Sequence, residues 1–437
     1  MKSAVPATVL ALFFLSVRVP AANPSSPPAS AFAAAAPRAT ADKTPRQGWP
    51  QWRGPNRDGV SAETGLLREW PEAGPKVLWK AAGIGEGYGS VAVVSGTVYV
   101  TGAVEGKGVL TALATDGSKK WTHSYGPEHT GAYPDARCTP TVNDGLVYVV
   151  SGPGVVSCVK ADSGDPVWKR DMVKDFGGRP SIKWGFGESV LIDGDNVICT
   201  PAGSDVTCAA LNRKTGKTVW KSRGLDQRHA MCSPVVMEHK GRRIIVTQLV
   251  RTIVGISADK GEILWTFDMP QRRHHDDAVK TFTPICSGDG VFVSCDGTQL
   301  GSVKLAIADG GKSVTKAWSQ ERFQARIAGA VLRDGRLYGA SKGKWMAVDW
   351  GTGEVLLDAS GVAGGSRGSC IMAGDLLFCR GLSGWLGLVQ VSKREMKQTG
   401  SFKVPGAPKE KHWSPLSLAD GVLYVRQKNQ LFALQVG

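Results

Sequence analysis

Side chains that could hold an anion recur at one register of this chain. Arg137, Lys280, Arg326 and Arg367, with His229 and His412, each stand just ahead of a short apolar strand pattern. Tyr88, Trp184 and Trp413 occupy the same register, and Glu188 is the carboxylate that can be placed there. Guanidinium groups grip carboxylates and phosphates through paired hydrogen bonds, and an indole offers a stacking face. A ring of such groups would attract a carboxylate-rich or phosphorylated ligand. The same cations could instead bond loop carbonyls or water, since spacing does not give the direction of a loop side chain. His274, His275, Asp276 and Asp277 form a second constellation, in the run RRHHDD. Imidazole and carboxylate are metal-ligand types. Adjacent side chains diverge, however, and a solvated loop accounts for the run equally well. His229 or His412 could serve as the base of a hydrolase or lyase. Nucleophile elbow, phosphate loop and H-E-x-x-H motif are all missing. The glycine string Gly83–Gly89 has no helix pattern behind it and reads as a loop.

The elements that must position these groups come from a repeat. Trp79, Trp121, Trp168, Trp220, Trp265 and Trp318 are spaced by 42, 47, 52, 45 and 53 residues. Gly117, Gly164, Gly216, Gly261 and Gly353 each stand four residues before such a mark, with Leu357 replacing the last tryptophan and Phe402 ending the next unit. A period near 45 with several short strands per unit signals a β-propeller. Thr139–Trp168 shows one whole unit as four strands, with turns at Asp144-Gly145, Gly152-Pro153-Gly154 and Asp162-Ser163-Gly164. Its first hairpin turn returns eight times, at Ser95-Gly96, Asp144-Gly145, Asp193-Gly194, Lys240-Gly241, Asp289-Gly290, Asp334-Gly335, Gly374-Asp375 and Asp420-Gly421.

The expected fold is therefore all-β: an eight-bladed propeller of four-stranded blades. Inner strands are expected to begin at Ser90, Thr139, Ser189, Ser233, Thr283, Gly329, Ser369 and Ser414. Residues 76–79 form an outer strand with no inner strands before them, and 414–436 form three strands with no outer strand after them. Pairing these ends closes the ring and removes an open edge. The expected division is a propeller at 76–437 with a packed N-terminal extension at 49–75.

Ala210–Trp220, ALNRKTGKTVW, fits A-x-[DN]-x-x-T-G-x-x-x-W at each specified position, with looser copies ending at Trp168, Trp265 and Leu357. The phrase resembles the tryptophan-docking repeat of pyrroloquinoline quinone (PQQ) propellers, over about residues 49–437. That family includes quinoprotein alcohol dehydrogenases and the propeller lipoprotein of the outer-membrane β-barrel assembly machinery. Trp49–Ser61, WPQWRGPNRDGVS, resembles secreted bacterial PQQ-like repeat proteins. The resemblance implies the fold and one of two roles: a binding or scaffold module of the cell envelope, or a dehydrogenase using PQQ and calcium. The second needs carboxylates around the calcium, and only Glu188 is legible. The Cys-Cys pair and the C-x-x-C-H haem motif of such enzymes are missing. No cofactor is assigned, and the expected partner is a protein or an anionic small molecule or polymer, met by a monomer.

Lys2 and the apolar run Ala7–Val17 read as a secretory signal over 1–21, too short to span a bilayer. Residues 22–48, rich in Pro, Ala and Ser, read as a disordered linker. Together they imply a periplasmic or secreted protein. A net charge of +15 without a Lys/Arg block excludes a nucleic-acid module and suits acidic partners or plain solubility. The nine cysteines fall mostly in strand patterns, as small buried hydrophobes. Cys370/Cys379 and Cys199/Cys208 flank turns symmetrically, so each pair is expected directly across a hairpin.

Overall fold

Alternating apolar strands and glycine-bearing turns assemble into eight blades of four antiparallel strands, seen in a computed structural model that describes residue 1 and residues 48–269, 281–294, 300–365, 367–406 and 412–437. Seven blades are continuous in sequence. The first contains Ala92–Val94, Thr97–Val104, Lys107–Ala114 and Lys119–Pro127. The seventh contains Gly368–Ala373, Leu376–Gly381, Trp385–Val391 and Met396–Lys403. In the eighth, the outer strand Val77–Ala82 pairs with Gln430–Gln435, so segments from the two sides of the repeat array share one sheet.

Each outer strand carries a bulge just before the marker of the repeat. Trp79 lies opposite Ala433, Trp168 opposite Cys158, Trp220 opposite Ala210 and Trp318 opposite Lys304, each beside a register shift. At Trp79, Trp168, Trp220 and Trp318 the ring lies against the next blade, where the indole N–H donates to a turn carbonyl. Trp168 Nε1 donates to Arg213 O at 2.9 Å, and Trp220 Nε1 donates to Ala258 O at 3.0 Å. The glycine of that next turn lies flat on the ring. Gly216 has φ +68°, and a Cβ there would stand 2.7 Å from Cδ2 of Trp168. Both the left-handed backbone and the close approach require glycine. Indole and glycine thus form one joint between consecutive blades, burying ~150–250 Å² of each ring.

Blade seven departs from the sequence reading. Its bulge places Gly400, not Phe402, at the marker position, opposite Leu388. Trp70, from the N-terminal segment, lies on Gly400 and stands 6.3 Å from Phe378, its amide donating to Thr399 O at 3.2 Å. Other blades set their own indole about as far from the same second-strand aromatic: 6.0 Å for Trp79–Tyr424 and for Tyr148–Trp168. The missing ring is supplied from another stretch of chain, which a search for a marker within the unit passes over. Phe402 instead packs against Gly74.

Three further expectations are corrected. The first turns of blades three and five are Gly194-Asp195 and Gly288-Asp289, one residue away from the expected Asp193-Gly194 and Asp289-Gly290, because Asp193 pairs with Asn196 and Ser287 with Gly290. Glycine then takes the first central position with positive φ, the order that suits a mirror-image hairpin turn. Inner strands begin about two residues later than expected in most blades, at Ala92, Thr141, Leu191 and Val235 for example. The Ser and Thr residues ahead of them bond sideways around the channel. Ser90 N donates to Thr139 Oγ1 at 3.0 Å, Thr139 N to Ser189 Oγ at 2.9 Å, and Ser189 N to Ser233 Oγ at 2.9 Å. Finally, Cys199 lies opposite Ala209, so Cys208 is one residue out of register with it, whereas Cys370 and Cys379 are direct partners.

Candidate functional site

The N-terminal segment reaches seven blades, on their inner strands or beside them. Trp49 exchanges backbone hydrogen bonds with Val93, and Val142 N donates to Pro50 O. Trp52 Nε1 donates to Thr283 Oγ1 at 2.8 Å. Arg53 Nη2 reaches Ala330 O at 2.7 Å, and Arg57 reaches Ser189 O at 2.7 Å and Val190 O at 2.9 Å. Val60–Ser61 adds a parallel strand to blade seven, and Glu63 accepts from Gly421 N of blade eight. Inner strands surround the axis of a propeller, so this segment fills the middle of the ring. Both guanidiniums are buried. A buried charge needs partners, and here the partners are carbonyls from blades that the sequence sets far apart. Burial lowers the pKa of Arg57 to about 10, against the opposing pull of Glu188.

Glu188 and His229 are brought together. Both are buried, with Oε2 of Glu188 and Nε2 of His229 3.5 Å apart. Thr200 N donates to Glu188 Oε1 at 2.8 Å, and Met231 N donates to His229 Nδ1 at 2.9 Å. With Nδ1 accepting, the proton of the neutral ring sits on Nε2 and faces the carboxylate. Phe186 covers the ring at 5.0 Å. Both imidazole nitrogens therefore face protein, and this geometry leaves no position from which His229 takes a substrate proton.

Arg137 directs its donors at its own loop: Nη1 to Asp135 O at 3.2 Å, Nη2 to Ala132 O at 3.1 Å and to Tyr133 O. Burial lowers its pKa. Burial, and after it repulsion from the nearby Arg367, lowers the pKa of Arg326. His412 is buried, its amide donating to Leu382 O at 3.2 Å. Lys280 and the group His274, His275, Asp276 and Asp277 lie outside the described residues. Among the described residues, no cluster of three or more His, Cys, Asp or Glu side chains could hold a metal ion.

Trp184, Trp413 and Tyr88 converge on a ring that sequence reasoning missed, Tyr133. Tyr133 stacks on Trp184 at 5.1 Å and 13°, and meets Trp413 edge-on at 4.7 Å; Trp413 meets Tyr88 at 5.2 Å. The four rings come from the loops entering blades three, two, eight and one. Tyr133 holds φ +50° and is 40% exposed. Lys428, also missed, donates from Nζ to Tyr88 Oη at 2.9 Å and Asp135 Oδ2 at 3.0 Å, and stands 4.6 Å above the Tyr88 ring. Tyr133 lies in a long loop with no periodic signal, and Lys428 sits in the turn between two strands. Only the ring closure brings these loops side by side.

The sequence model for the family described as outer membrane protein assembly factor BamB matches residues 106–356. The chain belongs to this family. BamB from Moraxella catarrhalis superposes with a TM-score of 0.55 at 14% identity, over 79% of this chain and 94% of that one. Quinohemoprotein alcohol dehydrogenase from Comamonas testosteroni superposes with a TM-score of 0.63 at 13% identity, over 89% and 80%. A europium-containing methanol dehydrogenase gives 0.60 at 12% identity, over 88% and 90%. At such identities the likeness establishes the propeller and leaves the chemistry to the site. No curated protein sequence matches the chain.

Proposed function

We propose that this BamB-family propeller is an exported binding module of the cell envelope that docks a partner protein on the aromatic rim formed by Tyr88, Tyr133, Trp184 and Trp413. The observation that carries the reading is that rim. Large, half-exposed rings from four blades meet at one place, and clustered tyrosine and tryptophan dominate the energetics of protein interfaces. The lysines and arginines around it, on a chain of net charge +15, favour an acidic partner. No helix among the described residues is long and apolar enough to cross a membrane. The signal-like 1–21 supports export, and N-terminal sequencing of natively produced protein should begin near Ala22 or Ala34.

The described residues fit a PQQ–calcium site poorly. Glu188 is fully buried, with one oxygen bonded to Thr200 and the other turned to His229. Arg137 is bonded to its own loop.

A photoreactive residue installed at Tyr133 should cross-link to a partner in envelope extracts, while one at the exposed outer-strand Val219 should not. Tyr133→Ala/Trp413→Ala should keep the melting temperature and lose the adduct made from a reporter at Trp184. An undiminished adduct would overturn the reading. Steady alcohol-dependent dye reduction by protein loaded with PQQ and calcium, lost in Glu188→Ala, would install the dehydrogenase in its place.

A further inference from the structure

We infer that Cys370 and Cys379 are a redox pair, joined by a cross-strand disulfide in blade seven when the chain folds in contact with a disulfide oxidant. The two residues are direct partners in the first hairpin of the blade, whose two-residue turn is closed by the pair Ala373 and Leu376. Antiparallel pairs alternate between hydrogen-bonded and non-hydrogen-bonded sites, and a two-residue turn is closed by a hydrogen-bonded pair. Counting inward, Cys370 and Cys379 occupy a non-hydrogen-bonded site. The amides of this strand agree. Cys370 N donates to Ala328 O of blade six and Met372 N donates to Gly59 O, both away from the hairpin partner. At such sites the Cα atoms approach to ~4.5 Å with side chains on the same face, within the range a disulfide accepts.

Cys199 and Cys208 provide an internal control. They flank a turn with the same spacing in the sequence, yet Cys199 lies opposite Ala209. A one-residue offset turns Cys208 toward the other face of the sheet. Both pairs are buried and all four thiols are free in the structure.

The chemistry is thiol–disulfide exchange. The thiolate of one cysteine attacks the oxidant's disulfide, forming a mixed disulfide and releasing one oxidant thiolate. The second cysteine, losing its proton to solvent, attacks the protein sulfur of that intermediate and releases the second oxidant thiolate. The two cysteines are oxidised by two electrons in total, and the oxidant is reduced to two thiols. Burial pushes the Cys370 thiol up to about 12 and Cys379 well above the usual thiol range. Attack from the closed blade is therefore slow, and the bond forms during folding or when the hairpin opens. Val60–Ser61 lies on this hairpin and Arg53 stands beside Cys370, so the bond would fasten the strand that receives the N-terminal segment. The oxidising setting rests on the proposed export, while pairing in vitro does not.

The test is refolding of the denatured, reduced full chain with oxidised glutathione, then capping of free thiols and proteolysis. The tryptic peptide 368–380 holds both cysteines and should lack two hydrogens and resist capping in most molecules. Cys199 and Cys208 should remain capped, and Cys379→Ser should leave Cys370 capped or bound to glutathione. The inference fails if Cys370 and Cys379 are capped as fully as in protein refolded with reduced glutathione. It also fails if Cys199 and Cys208 link as readily, since register would then have no influence. Circular dichroism confirms that each sample has refolded.

Discussion

Replacing Arg57 with methionine tests whether the N-terminal segment fills the ring. The substitution keeps most of the apolar stem and removes the charged head. Arg57 gives up hydrogen bonds to Ser189 O at 2.7 Å, Val190 O at 2.9 Å and Gln51 Oε1 at 2.9 Å. Each bond from a charged donor contributes ~1.5–3 kcal/mol. The two buried carbonyls then lack their donor, and the buried Glu188 loses the cation that its charge favours. Removing one partner of a buried charged set costs ~3–5 kcal/mol, and the same range is expected here. Arg68 is the control. It belongs to the same segment and bonds Asp375 through both terminal nitrogens, but its side chain is 57% exposed. Arg68→Met removes an exposed ion pair that solvent screens, so it should cost far less than Arg57→Met. Guanidinium chloride unfolding, followed by tryptophan fluorescence, measures both. Equal costs for the two variants would refute the buried placement, because a segment lying on the surface would leave the two arginines alike.

Two further outcomes are expected. Gly216→Ala, whose Cβ would stand 2.7 Å from the Trp168 ring, should cost ~2–5 kcal/mol, from left-handed strain of ~1–2 and overpacking of ~1–3. Gly145→Ala has similar φ, +73°, but nothing within 4 Å, and should show the strain alone in the same unfolding assay. Glu128 accepts from Tyr125 Oη at 2.7 Å and from Gly152 N at 3.0 Å, and burial raises its pKa above 4.5. The folded state then keeps the proton to higher pH than the unfolded state does, so stability falls as pH rises from 4.5 through the raised value. Glu128→Gln stays neutral, so its stability relative to wild type should improve across that window; a constant difference in melting temperature would refute the assignment.

The indole, the glycine turn and the paired strands repeat along the chain, so the eight-bladed architecture was legible from residue order. Each joint is made between a marker and the next unit's turn, as between Trp168 and Gly216, and such neighbours stay neighbours in space. The sequence set Glu188 at the mouth, beside a recurring strand start, whereas the folded ring buries it against Thr200 and His229. The sequence could not show that Trp70 serves blade seven, because its contact with Gly400 crosses more than three hundred residues. Arg53 and Arg57 stand in the phrase Trp49–Ser61, which carries no sign of burial, and are buried because carbonyls of distant blades surround them. The cations also changed meaning. Spacing placed Arg137 at the register of an anion site, but loop conformation turned its guanidinium onto carbonyls of its own loop. The aromatic rim exists because ring closure sets the loops of blades eight, one, two and three side by side. A periodic sequence determines which strands pair within a blade, since in seven of the eight blades those contacts are local. Which side chains meet at the mouth depends on loops with no period, and only the closed ring brings them together.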